Sequence, residues 1–282
     1  MSTLAPLETL YELERGAVLP LPPALATLYG PLRFPAHHDR PHVIGNFVTT
    51  LDGVVSLNVP GRSGGGEISG FNQHDRMVMG LLRAAADAVI VGAGTLRAVP
   101  RHRWTAAYIC PALAAAYQTL RAALGKPDPP LNVIITARGA IDLDLPVFQS
   151  GEVPVLIVTT VRGAQRIGQQ ELPPSVQLAD VQSAGPLSAG SILEVVRRAR
   201  ASDLLLVEGG PRLMGAFLAE QRLDELFLTL APQVAGRDAA QDRPGLVAGQ
   251  VLAPDRPRWG TLVGVKRAGS HLFLRYAFEP PA

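Results

Sequence analysis

The segment Leu204-Leu205-Leu206-Val207-Glu208-Gly209-Gly210-Pro211-Arg212-Leu213 constrains the fold more than any other. Four consecutive apolar residues read as a strand buried on both faces, two glycines permit a tight turn, and Pro211 suits the first position of a helix. A strand that passes through glycines into a helix leaves free backbone N–H groups at the positive end of the helix dipole, a corner that favours a phosphate or diphosphate. Glu208 stands at the carboxyl end of its strand, where open α/β sheets place their ligands, and its carboxylate can accept hydrogen bonds from an amine-bearing ring. The plain alternative is a structural glycine turn.

Ala88-Val89-Ile90-Val91 followed by Gly92-Ala93-Gly94-Thr95 repeats the theme. It is not a dinucleotide fingerprint of the Gly-x-Gly-x-x-Gly type, because Arg97 holds the third glycine position and no acidic residue follows about 20 positions on. The Gly61–Gly66 run is no P-loop, since no Gly-Lys-Ser/Thr follows. It reads as a mobile loop over a site, with Ser63 and Ser69 either serving a ligand or bonding their own backbone.

Around these corners, apolar runs and helical periodicity alternate. Strands are expected over 43–51, 88–91, 132–136, 155–160, 176–181 and 204–207, and helices over 72–86, 111–124, 191–201 and 211–221. Strands over 225–231, 259–265 and 271–278 close the chain. The pattern predicts an α/β sheet with an antiparallel C-terminal edge. Residues 1–40 are Pro-rich and read as an arm ahead of a domain over 41–282, with short helices near 7–15 and 23–29. Residues 235–256 read as an exposed loop.

A chain of 282 residues, 47% apolar, can bury a sizeable core, and a net charge of +2 without a basic stripe argues against a nucleic-acid partner. No basic-then-apolar leader and no run near eighteen apolar residues is present, so neither a signal peptide nor a membrane span is expected. The single cysteine, Cys110, excludes an intramolecular disulfide and a thiolate metal site and suits the reducing cytoplasm. His and carboxylate spacing suggests no metal site. Taken alone, Arg83 reads as a solvated helix residue.

Asn46-Phe47-Val48-Thr49-Thr50-Leu51-Asp52-Gly53, Ile68-Ser69-Gly70, Leu82-Arg83-Ala84, Asp87–Thr95, Val207–Pro211, Asp224-Glu225-Leu226 and Ala231-Pro232 occur in an order that resembles the riboflavin-biosynthesis pyrimidine reductase family, the RibD C-terminal domain. The resemblance implies a dihydrofolate-reductase-like fold, a mixed and mostly parallel sheet flanked by helices with antiparallel C-terminal strands. It implies NADPH as hydride donor, a small-molecule substrate (a pyrimidine ribosylamine phosphate or a related pteridine-like compound) and a homodimer. The 40-residue arm, lacking cysteine, is too short for the zinc deaminase domain that often precedes the reductase.

Carried over by position, Thr50, Ser56, Gly92, Gly94, Thr95, Gly209, Gly210, Pro211, Arg212 and Leu213 would meet the cofactor, and Thr136 and Arg138 its 2′-phosphate. Ser69, Arg83, Arg101 and Arg103 would meet the substrate. Asp52 and Glu208 are the catalytic candidates, with water as the alternative proton source. Two positions depart from the family pattern: Val99 stands where an acid is usual and Val54 where a lysine is usual. A non-catalytic NADPH-binding module and a folate-like reductase are the competing readings.

Overall fold

The computed structural model describes residues 4–36, 39–126, 128–183, 185–238 and 241–278. Its strands are β1 (Glu8–Glu12), β2 (Ala17–Val18), β3 (Arg33–Phe34), β4 (His42–Thr49), β5 (Ala88–Gly92), β6 (Leu131–Thr136), β7 (Val155–Thr160), β8 (Val176–Val181), β9 (Leu204–Val207), β10 (Glu225–Leu230), β11 (Thr261–Ala268) and β12 (His271–Ala277). Ten of them form one sheet in the order β1-β11-β12-β10-β4-β9-β5-β6-β7-β8, while β2 and β3 pair separately. The seven strands from β10 to β8 run parallel, and β12, β11 and β1 add antiparallel pairings at the other edge. This is the mixed, mostly parallel sheet with antiparallel C-terminal strands expected from the sequence.

The apolar runs are continuous because both faces of the sheet are covered. Along β9, Leu204 and Leu206 enter one core while Leu205 and Val207 enter the other; along β5, Val89 and Val91 oppose Ala88 and Ile90 in the same way. The first core lies beneath helices Gln73–Ala85 and Ala114–Ala123, through Met77, Leu81, Leu82, Tyr117 and Leu120. The second lies beneath helices Ala189–Ala199 and Pro211–Ala219, through Ile192, Val196, Met214 and Phe217.

The N-terminal segment differs from expectation. The helix expected near 7–15 is strand β1, paired with β11. Its acidic side chains meet basic residues of that strand: Lys266 Nζ lies 3.0 Å from Glu12 Oε2 and Thr9 Oγ1, and Arg267 Nη2 lies 2.5 Å from Glu8 Oε2. This cross-strand complementarity outweighs a weak helical pattern. Leu7 and helix Pro23–Tyr29 then join the main core, so the segment is stitched into the sheet. The last two residues of the Gly-rich 61–66 run open the short helix Gly65–Ser69. Among the described residues no helix is long and apolar enough to cross a membrane.

Candidate active-site groove

The two glycine corners lie side by side because β9 and β5 are neighbours. The Gly92 amide donates to the Gly209 carbonyl at 2.7 Å, and the Glu208 amide to Ile90 at 3.0 Å. Gly209 sits at φ +94, and a Cβ there would come 2.5 Å from Phe47 Cζ, so only glycine fits. Gly210 is the N-cap of helix Pro211–Ala219 and supplies no side-chain cap to its first amides. Thr95 Oγ1 lies against it, 3.4 Å from where a Cβ would stand.

A groove of about 2180 Å³ runs over this corner and the carboxyl ends of β4, β5, β6 and β7. One drug-sized ligand occupies roughly 300–1,000 Å³, so there is room for two molecules end to end. Of the positions expected to meet a cofactor, Ser56, Gly92, Gly94, Thr95, Thr136 and Arg138 line the groove, as do Gly210, Pro211, Arg212 and Leu213. The 235–256 segment, expected as an exposed loop, contributes wall residues at Pro244 and Ala248–Gln250.

At the β6–β7 end stand Arg138, Arg162 and Arg166, with Arg212 at the helix start. None of the four has a carboxylate partner among the described residues. Four unneutralised guanidinium groups close to one another at this end of the groove suit a ligand with several phosphates. Sequence reasoning found Arg138 and Arg212 but missed Arg162 and Arg166. Their signal was available: both sit on helix Val161–Ile167, which begins at the carboxyl end of a parallel strand.

At the opposite end the charged groups are buried. Arg83 is 1% exposed, not solvated as its sequence position alone suggested. It points from helix Gln73–Ala85 to Glu208, with Nη2–Oε2 at 2.6 Å and Nε–Oε1 at 3.0 Å. Its Nη1 also donates to the Thr105 carbonyl at 3.3 Å. Both side chains still line the groove, but each is first engaged by the other. Arg121 caps the C-terminal end of the same helix, donating to the Ala84 and Ala86 carbonyls at 3.0 and 2.8 Å.

Asp75, one turn into that helix, was missed by the sequence reading as a groove residue. It is 4% exposed and lines the groove beside Glu208. Burial pushes its carboxyl upward, against hydrogen bonds from Thr229 and Ser69 and the nearby His271. Ser69, an expected substrate contact, is therefore the neighbour of a protonatable acid.

Five expected site residues are not brought to the groove. The Thr50 hydroxyl donates to Asp52 Oδ1 at 2.5 Å and accepts from the Val54 amide at 2.9 Å. The Asp52 carboxylate also accepts from the Ala235 and Gly236 amides at 3.1 and 2.8 Å, and these bonds, Thr50 foremost, lower it to about 2. Asp52 is thus a fastener for the 235–236 turn, with no proton to give near neutral pH. Arg103 Nη1 is bonded to Glu152 at 2.6 Å, and Arg101 is exposed to solvent. Gly209 does not line the groove either; it positions Gly210.

Residues 41–254 match the sequence pattern of the RibD C-terminal domain family. The chain belongs to that family. Among its relatives, the 2,5-diamino-6-ribosylamino-4(3H)-pyrimidinone 5′-phosphate reductase of Aquifex aeolicus is 26% identical over 75% of this chain and 84% of its own length. The protein of the same name from Archaeoglobus fulgidus is 24% identical over 71% and 84%. Among solved structures, a pyrimidine reductase-like protein from Corynebacterium diphtheriae aligns with a TM-score of 0.65 at 20% identity, covering 86% of this chain and 93% of that one. A Thermotoga maritima protein named as a deaminase and reductase aligns with a TM-score of 0.60 at 22% identity, and this chain spans 57% of it. These RibD-type structures share the fold. In the RibD C-terminal family setting, the two glycine corners and the buried Glu208 fall inside the matched segment.

Proposed function

We propose that this chain is an NADPH-dependent reductase of a pyrimidine ribosylamine 5′-phosphate, the reaction its relatives are named for. The observation that carries the reading is one groove with an uncapped helix start and four unpartnered arginines at one end, and a buried carboxyl cluster at the other. The residues fit a nicotinamide dinucleotide phosphate. Gly210 and the start of helix Pro211–Ala219 would hold the diphosphate, with Thr95 beside it. Arg138, Arg162 and Arg166 would hold the 2′-phosphate.

When bound, the cofactor supplies a hydride to an imine or masked aldehyde carbon of the substrate. The protein's part is to position the reactants and manage the proton. Glu208, kept in place by Arg83, presents carboxylate acceptors to the amino groups of the pyrimidine ring. Asp75 is raised by burial and so is the better proton donor; Asp52 is not. The sheet corner at Gly92 and Gly210 lets backbone and ligand come close. The location is the cytoplasm and the assembly a homodimer; sedimentation that finds only a 29.9 kDa species at micromolar concentration would remove the dimer.

The test is NADPH oxidation with 2,5-diamino-6-ribosylamino-4(3H)-pyrimidinone 5′-phosphate, beside a binding titration with NADPH. Turnover supports the reading. Tight cofactor binding with no turnover of any pyrimidine or pteridine substrate would make the chain a binding module.

A further inference from the structure

The loop after helix Ala93–Ala98 carries Arg101, His102 and Arg103 in succession, and only the middle one lines the groove. His102 is fixed from both sides. Its amide donates to the Val99 carbonyl at 2.9 Å. Two residues on, Trp104 is pinned to the fully buried Asn132, which accepts from the Trp104 amide at 3.1 Å and donates to its carbonyl at 3.4 Å. The imidazole packs against the Trp104 and Tyr108 rings, at centroid distances of 5.1 and 4.7 Å.

Neither ring nitrogen has a hydrogen-bond partner among the described residues. Nε2 is shielded from solvent without one, and Nδ1 makes no such bond. A buried polar atom without a partner is costly, and Nδ1 of the same ring, which is not among the shielded atoms, is left open to a ligand in the groove. Burial and the charges of Arg83 and Arg76 keep the ring neutral. Arg83 is neutralised by Glu208. Arg76 also lines the groove, with its guanidinium 5.7 Å from the Phe71 ring centroid, and pairs with no carboxylate among the described residues. A neutral imidazole offers one N–H donor, and an unneutralised guanidinium offers five.

We propose that His102 and Arg76 together bind an oxyanion on the substrate, a phosphate or a carboxylate, and that His102 is the specificity residue of this loop in place of the flanking arginines. The inference rests on the reductase reading, which places a second molecule in the groove beside the cofactor. It explains how the groove meets a charged substrate although Arg103 is spent on Glu152 and Arg101 faces solvent.

The probes are ribose 5-phosphate and ribonate, with ribose as the uncharged control, added to the full chain while its histidine side-chain NMR signals are followed. His102→Phe keeps an aromatic ring in the slot without the nitrogens and identifies the His102 signal by its loss. Ribose 5-phosphate or ribonate moves that signal and ribose does not; which of the two binds tighter tells phosphate from carboxylate. His102→Phe and Arg76→Gln each weaken the tighter probe at least tenfold, Arg101→Gln leaves it unchanged, and all keep NADPH affinity within twofold. If His102→Phe does not fold, the Arg76→Gln affinity and the His102→Asn signal loss carry the same comparison. The proposal is overturned if neither anion moves the His102 signal, or if the variants bind the anions as tightly as the parent chain. Failure of NADPH to bind would strike the reductase reading alone, because the anion titration is read without cofactor.

Discussion

Arg83 and Glu208, 125 residues apart in sequence, meet in a buried ion pair at 2.6 Å that joins helix Gln73–Ala85 to the turn after β9. The guanidinium thereby fixes the carboxylate at the point where the two glycine corners converge. A buried pair is weak support for stability as a whole, but breaking it from one side leaves an uncompensated charge.

Arg83→Met should therefore cost about 3–5 kcal/mol, whereas Arg83→Met combined with Glu208→Leu should recover much of the loss. Urea unfolding of the two single variants and the double variant measures this. A double-variant loss equal to the sum of the two single losses would show that the pair does not couple.

Asp75→Asn should lower kcat by roughly 10²–10⁴-fold if Asp75 delivers the proton. The same variant reports on stability. The folded-state carboxyl is raised, so its contribution is fully present below the unfolded value and is lost as pH rises through the folded one. Asp75→Asn should thus gain on the parent chain in unfolding experiments as pH rises, with no advantage in acid. A variant of unchanged kcat would remove Asp75 from the chemistry.

Arg162→Glu and Arg166→Glu should weaken NADPH far more than NADH. A hydrogen bond to a charged group contributes about 1.5–3 kcal/mol, so each loss should read as roughly 10–100-fold in Kd for the phosphorylated cofactor alone. Fluorescence titration with both dinucleotides decides it, and equal losses for the two would place the 2′-phosphate elsewhere.

Asp52→Asn should leave the pH–rate profile in place, because a carboxyl held at about 2 is ionised across the working range. Its depressed value means that any stability it lends is present above the unfolded carboxyl range and fades as pH falls towards 2. The variant should loosen the 235–236 turn, seen as faster amide exchange there. An activity loss that follows the carboxyl's titration would restore Asp52 as a proton donor.

The sheet was legible in the sequence because a parallel strand covered on both faces is a short uninterrupted apolar run, as in Val155–Thr160 and Leu204–Val207. The glycine corners were legible too, since Gly-Gly-Pro after such a run has few other uses. What was not legible depends on partners far along the chain. Asp75 becomes a buried acid only because Thr229 and the helix-end Ser69 close around it. Asp52 looked available until the 235–236 amides, some 184 residues on, claimed it. Arg103 and His102 differ by one position, yet Glu152 takes the first and the Trp104–Asn132 lock turns the second inward.

β1 pairs with β11 across a separation of 259 residues, as in the Glu8–Arg267 contact. A growing polypeptide makes its first strand long before the hairpin that completes it. Those few residues cannot take their place in the sheet until that hairpin exists. Assembly of this molecule should accordingly be slow for its size, as pairings between distant segments are, and late-stage intermediates should be those most inclined to stick to one another.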